Sequence, residues 1–287
     1  MMADIIYGSE LSKELKESMK EEIDTYINNG LRSPNLTVVL VGDNPASLSY
    51  VKGKEKACAE VGISTETIHL EETTTQEKLE ELLKELSLKE DVDGILLQLP
   101  LPKGLDEAKA IACISPDKDV DGLTPVNMGK LFLGEEGGFY PCTPLGVMEL
   151  LKKMNCEIEG KRAVVVGRSK LVGTPVARLL QNGQATVTIA HTRTRDIESL
   201  CKEADILIAA VGRPKLIDAS YVKEGAYVID VGINRGEDGK LCGDVDFDSV
   251  CEVAKAITPV PKGVGPMTIC MLISNTLLSY KRRNNLC

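Results

Sequence analysis

Ala163-Val-Val-Val-Gly-Arg-Ser-Lys-Leu-Val-Gly-Thr-Pro175, just past the midpoint of the chain, decides the fold. Three valines after Ala163 give the pattern of a strand buried on both faces, as a parallel sheet requires. Gly167 ends the strand, and Thr174-Pro175 suits the first turn of a helix. A strand that passes through glycines into a helix offers backbone N–H groups and a positive dipole end to an anion. Many such turns use glycine for geometry alone, so the flanking sequence has to decide.

Outward from this stretch, strands and helices alternate. Ala185–Ala190, Asp205–Val211 and Gly225–Val231 are predicted strands, with helices to about Leu180 and Lys202. The first half alternates likewise: a helix Ser9–Asn29, strand Leu36–Gly42, a helix from Asp43-Asn-Pro-Ala to Gly62, strand Ser64–Leu70, helix Thr75–Leu88 and strand Gly94–Pro100. A last helix is expected over Pro266–Tyr280. The pattern predicts an α/β protein of two open, mainly parallel-sheet domains, the second with the context of a dinucleotide fold. Pro-rich breaks near 100 and 141 favour two domains.

The anion question turns on the next strand end. NAD-dependent enzymes place an acid there against the ribose 2′-hydroxyl. Here the strand ends in His191-Thr192-Arg193-Thr194-Arg195, hydroxyl and basic groups that suit a 2′-phosphate. Arg168 adds a guanidinium able to meet phosphate in bidentate fashion. NADP is therefore expected over NAD, although a basic surface turn would show the same residues. The stretch is neither a P-loop nor Gly-x-Gly-x-x-Gly, since Gly167 and Gly173 lie six apart.

In the first half, Tyr50 and Lys54 share one helix face with Ala57, Cys58 and Val61. An inward lysine is a candidate acid/base group, because burial lowers its pKa; the plainer alternative is a lysine snorkelling past the core rim. Gln98 ends its strand where open α/β sheets bind ligands. Asp117, Asp119 and Asp121 crowd one turn, either as a solvated acidic loop or with one carboxylate aimed at paired N–H donors.

Composition bounds the partners. A net charge of -9 excludes a general nucleic-acid or anionic-membrane surface, and no Trp with three Phe excludes a stacking platform for single strands. Nine scattered cysteines without a Cys-x-x-Cys pair, and two histidines, leave no metal set. The N-terminus lacks the pattern of a secretion signal, so a cytoplasmic protein is expected.

Together, Tyr50-Val-Lys-Gly-Lys54, Gln98-Leu-Pro-Leu101, Asp119-Val-Asp-Gly-Leu123, Pro141-Cys-Thr-Pro144, Val166-Gly-Arg-Ser169, Val172-Gly-Thr-Pro175, Pro261 and Gly263-Val-Gly-Pro-Met-Thr268 resemble the bifunctional methylenetetrahydrofolate dehydrogenase/methenyltetrahydrofolate cyclohydrolase family. They run in family order over nearly the whole chain. The resemblance implies oxidation of 5,10-methylenetetrahydrofolate with NADP, then hydrolysis to 10-formyltetrahydrofolate, by a homodimer. It also implies an active-site cleft between the domains, a second domain of Rossmann type that binds NADP, and a C-terminal helix packed back on the first domain, so that the expected boundaries are 1–140 plus 266–287 and 141–265. It implies Lys54 as acid/base residue, Gln98 tuning it, Tyr50 positioning the folate and Asp121 gripping the pterin. It places Gly167, Arg168, Ser169, Thr192 and Ile233 at the cofactor, and Pro261 and Gly263 at the substrate. Lys262 departs from a glycine common in the family, and Thr192 from a common serine. A shikimate-type dehydrogenase and a non-catalytic folate or nucleotide binder are the alternatives.

Overall fold

The computed structural model describes residues 2–236 and 239–286. Its contacts divide the chain into two compact units, Glu14–Cys142 with Ile269–Cys287, and Met1–Lys13 with Thr143–Thr268.

In chain order the elements begin with β1 (Asp4–Ile5), α1 (Gly8–Asn28), β2 (Asn35–Val41), α2 (Pro45–Val61) and β3 (Ser64–Leu70). Then follow α3 (Gln76–Leu88), β4 (Gly94–Leu97), α4 (Glu107–Ile111), α5 (Pro125–Leu133), α6 (Cys142–Lys153), β5 (Arg162–Val166) and α7 (Gly173–Asn182). The rest comprises β6 (Thr186–Ala190), α8 (Ile197–Cys201), β7 (Ile206–Ala209), β8 (Tyr227–Asp230), β9 (Asn234–Arg235), β10 (Leu241–Cys242), α9 (Phe247–Cys251), β11 (Ala256–Ile257) and α10 (Val264–Arg283).

In the unit built on Glu14–Cys142, the sheet order is β3-β2-β4, parallel throughout. Two devices fix where its site residues point. Asn44 Oδ1 accepts from the N–H groups of Ala46 and Ser47, and Pro45 opens the helix, so α2 starts at one defined residue. Gly62, at φ 86°, ends it in the left-handed conformation. The phase of Tyr50 and Lys54 is thereby set. On the sheet, Gln98 N–H donates to Val39 O at 2.9 Å, one step past the β2–β4 register. That bond carries Gln98 to the carboxyl edge of the strands. Under the sheet, Leu79, Leu83 and Leu86 of α3 are fully buried with Val39, Ile95 and Leu97. Each such leucine stabilises by roughly 1.5–3 kcal/mol.

The other unit holds a six-stranded sheet in the order β1-β11-β8-β7-β5-β6, every pairing parallel. Val166 is in register with Ala190 on one side and Ala209 on the other. The turns after β5, β6 and β7 therefore leave from one sheet edge.

The expected α/β class with mainly parallel sheets is what the structure has. Short elements differ from expectation. β1, β11 and the antiparallel hairpin β9–β10 are two-residue strands, below the length at which alternation is legible. Because Asp4 pairs with Ala256, residues 1–13 cluster with the six-stranded sheet rather than with the first half of the chain. α1 starts at Gly8, one residue before the expected Ser9, and Ser9 N–H donates to Lys262 O. α10 begins at Val264, two residues earlier than predicted, since a proline is tolerated in a first helical turn.

Candidate active site

Lys54 is the centre of a cluster inside the unit that carries α2. Its Nζ donates to Gln98 Oε1 at 2.9 Å. Gln98 is itself buried, and its Nε2 donates to Leu99 O at 2.6 Å. The amide is thus held with only its oxygen toward the lysine. Burial pushes the Lys54 ammonium below its ordinary range, opposed by the Asp121 carboxylate and, more weakly, by the Cys142 and Cys58 thiols. Burial in turn raises the Asp121 carboxyl, opposed by the Lys54 charge, while Asp119 adds to the rise. A lysine brought toward neutrality and fixed by one amide can both accept and return a proton. Tyr50, one turn earlier on α2, stays 55% exposed, presenting a ring to solvent on the same face.

The structure separates the three aspartates of the acidic turn. Asp117 is exposed. Asp119 is spent on the chain: its carboxylate accepts from Leu123 N–H, Thr124 N–H and Asn127 Nδ2. Asp121 alone faces Lys54.

Two residues at this cluster escape a sequence reading. Cys142 is buried against Asp121, hydrogen-bonded to it, with its thiol donating to Val120 O at 3.4 Å. Burial and the Asp121 charge raise its pKa well above the thiol range, so it is an inert neutral partner. Asn275 of α10 donates from Nδ2 to Val120 O at 2.8 Å and Tyr140 O at 3.1 Å. Within an apolar helix, that Asn reads only as an interruption.

In the other unit, Gly167 and Gly173 allow backbone to cross backbone. A Cβ on Gly167 would lie 2.1 Å from Ala210 O, and one on Gly173 would lie 2.2 Å from Gly167 O. Ser169 Oγ accepts from the N–H groups of Val172 and Gly173, and Thr174 N–H donates to Ser169 O. Those three N–H groups at the start of α7 are spent inside the loop. An anion at this turn meets side chains such as Arg168, which is exposed, rather than those amides. After β6, Thr192, Arg193 and Arg195 are exposed on a turn pinned by His191 Nδ1, which accepts from Arg193 N–H, and by Thr194 Oγ1, which accepts from His191 N–H. Ile233, Pro261 and Gly263 line one cavity of about 320 Å³ with Asp230, Leu241 and Lys262. Lys262 there adopts φ 80°, the left-handed region that favours glycine.

The strand edge with its glycine crossing and basic turn has the form of a dinucleotide-binding unit, and the Lys–Gln–Asp cluster has the chemistry that proton transfer requires. Comparison with known proteins makes this specific. Residues 6–121 match the catalytic-domain model of tetrahydrofolate dehydrogenase/cyclohydrolase, and residues 141–284 match its NAD(P)-binding domain. The chain is 54% identical to a bifunctional protein FolD of Oceanobacillus iheyensis over 99% of both chains, and 54% identical to that of Bacillus mycoides over the full length of both. Its fold superposes on the FolD methylenetetrahydrofolate dehydrogenase/cyclohydrolase of Campylobacter jejuni with a TM-score of 0.96, 48% identity, and coverage of 98% and 99%. The Trypanosoma brucei enzyme, solved with NADP and an inhibitor, gives a TM-score of 0.92 at 40% identity, covering 98% of each chain. The chain belongs to the tetrahydrofolate dehydrogenase/cyclohydrolase family.

Among the described residues no helix is long and apolar enough to cross a membrane, and no group of His, Cys, Asp or Glu is placed to hold a metal ion.

Proposed function

We propose that Lys54, tuned by Gln98 and Asp121, performs the proton transfers of the cyclohydrolase in this bifunctional methylenetetrahydrofolate dehydrogenase/cyclohydrolase. The Lys54–Gln98 hydrogen bond at 2.9 Å carries the assignment. The neutral amine takes a proton from the water that adds to the methenyl carbon. The resulting ammonium returns that proton to N5 as the bond from carbon to N5 breaks. The carbinol oxygen releases its remaining proton to solvent as it becomes the formyl carbonyl, so that methenyl cation and water give 10-formyltetrahydrofolate and one proton. Tyr50 positions the folate, and Asp121 accepts hydrogen bonds from the pterin's paired N–H groups while holding charge beside Lys54. Pro261 and Gly263 line the folate side.

NADP is the redox cofactor of this reading, supplying the acceptor for hydride from the one-carbon bridge. Gly167 and Ser169 shape the turn that receives it, and Arg168 with Thr192 meets the 2′-phosphate. Ile233 lines the cavity beside its reactive ring. The glycine crossing and the exposed basic turn fit such a group; a side chain at Gly167 would strike the Ala210 carbonyl and displace the turn. In functional terms residues 1–140 with 266–287 form the folate part and 141–265 the cofactor part. The chain works as a cytoplasmic homodimer.

An absorbance assay with NADP and with NAD, followed through to the formyl product, tests the reading. NADPH formation and subsequent methenyl hydrolysis are expected; equal kinetics with both cofactors contradicts the 2′-phosphate assignment.

A further inference from the structure

The cofactor-side sheet edge carries a buried pair of carboxylates that neither proton transfer nor phosphate binding uses. Asp244 is fully buried, and Asp230 is 3% exposed. Asp244 accepts four hydrogen bonds. Its Oδ2 takes the N–H groups of Val211 (2.6 Å) and Gly212 (3.0 Å), and its Oδ1 takes Arg213 N–H (2.9 Å) and Asn234 Nδ2 (2.8 Å). Three successive backbone N–H groups closing on one carboxylate form a nest, an arrangement that binds an anion tightly and fixes the chain around it.

The groups so held lie in the turn that follows β7 and at the end of the turn that follows β8, where Asn234 opens β9. The first lies beside Ala210, whose carbonyl packs on Gly167. The second contains Ile233, in the cavity of about 320 Å³ with Pro261 and Gly263. Asp230 locks the third side: it accepts from Gly232, Asp244 and Val245 N–H groups. The fit is close on both sides. A Cβ on Gly232 would lie 2.3 Å from the Asp244 carboxylate, and one on Gly243 would lie 1.7 Å from Asp230 Oδ2.

A buried charge that only stabilised the unit would be a costly device, since an apolar replacement is often as stable. What it supplies is position. We infer that Asp244 is a positioning residue for hydride transfer: it holds the Val211–Arg213 turn and Asn234, flanking Ile233, so that the cofactor's nicotinamide end is seated while the 2′-phosphate end is held elsewhere. The inference rests on the proposal that NADP binds this unit.

Asp244→Asn tests it, because the amide turns a donor toward N–H groups that need an acceptor. Three quantities are measured on the full-length enzyme: dehydrogenase kcat/KM with NADP, cyclohydrolase kcat/KM without cofactor, and binding of 2′,5′-ADP, which carries the phosphate end alone. Dehydrogenase kcat/KM is expected to fall ten-fold or more, with the other two within about two-fold of the parent. Asn234→Ala, which leaves the carboxylate in its nest, is expected to give a several-fold loss in the same direction. Should Asp244→Asn fail to fold, Asn234→Ala alone decides. Unchanged dehydrogenase kinetics in a folded variant, or a parallel loss of 2′,5′-ADP binding, overturns the inference. If the parent itself reduces no NADP, the failure lies with the cofactor assignment and not with Asp244.

Discussion

Lys54 Nζ and Gln98 Oε1 stand 2.9 Å apart, the lysine from the third turn of α2 and the amide from the step just past β4. Gln98 is held by its own backbone neighbour Leu99 and by the β2 ladder, so the lysine is located by the sheet rather than by its flexible stem. A rigid partner of this kind limits the loss of side-chain freedom that a long lysine would otherwise suffer on ordering.

The Asp121 charge opposes the effect of burial on Lys54. Asp121→Asn removes that opposition, so Lys54 loses its proton at lower pH than in the parent. The limb of the cyclohydrolase pH–rate profile that reports Lys54 should therefore shift downward, beside any loss of kcat. A limb that stays in place or moves upward contradicts the pairing.

Arg168→Ala should lower dehydrogenase kcat/KM for NADP by ten-fold or more and leave NAD nearly unaffected, since only the 2′-phosphate offers the guanidinium a partner. Steady-state kinetics with both cofactors measures the ratio. A proportional loss with both places Arg168 away from the 2′-phosphate.

Asp230 provides a stability test. Burial pushes its carboxyl up to about 7, despite the opposing N–H bonds from Val245, Asp244 and Gly232, and Asp244 adds to the rise. The folded state then keeps a proton that the unfolded chain releases near 4. Stability from this group is full at low pH and is lost as pH rises from about 4 to about 7. Unfolding free energy should fall less steeply over that window in Asp230→Asn than in the parent; equal slopes by denaturant titration contradict the shift.

Arg32 reaches the fully buried Asp93 with two bonds, 2.6 Å and 2.7 Å. Arg32→Ala should cost on the order of 2–3 kcal/mol, because it strips the buried carboxylate of its bidentate partner. Arg283 Nε, 3.5 Å from Asp93, keeps the loss below a full burial penalty. Thermal unfolding gives the value, and a change under about 0.5 kcal/mol would show that Arg283 takes over.

Long elements and the lysine were legible in the sequence because their signals are local. The valine run at 164–166 and the leucines at 79, 83 and 86 announce their periods, and Asn44-Pro45 with Gly62 brackets α2. Lys54 then falls on the face of Ala57, Cys58 and Val61, where an acid/base lysine and one snorkelling past the core rim have the same pattern. The aspartates were not separable: Asp119 and Asp121 are two residues apart in a turn, where no period assigns a side. Asp230 and Asp244 were invisible, fourteen positions apart on a strand end and a loop, joined only by main-chain bonds. At the opening turn, glycine spacing suggested amides free for an anion; instead Ser169 and its backbone take the amides of Val172, Gly173 and Thr174.

The central claim is that Lys54 carries the proton transfers of the hydrolytic step, and only those. Lys54→Met, assayed for both activities in one preparation, tests it most directly. Methenyl- to 10-formyltetrahydrofolate conversion should fall by about 10²-fold or more, while NADP-linked dehydrogenation, which depends on alignment more than on this base, persists. Methenyl hydrolysis at the parent rate would contradict the account.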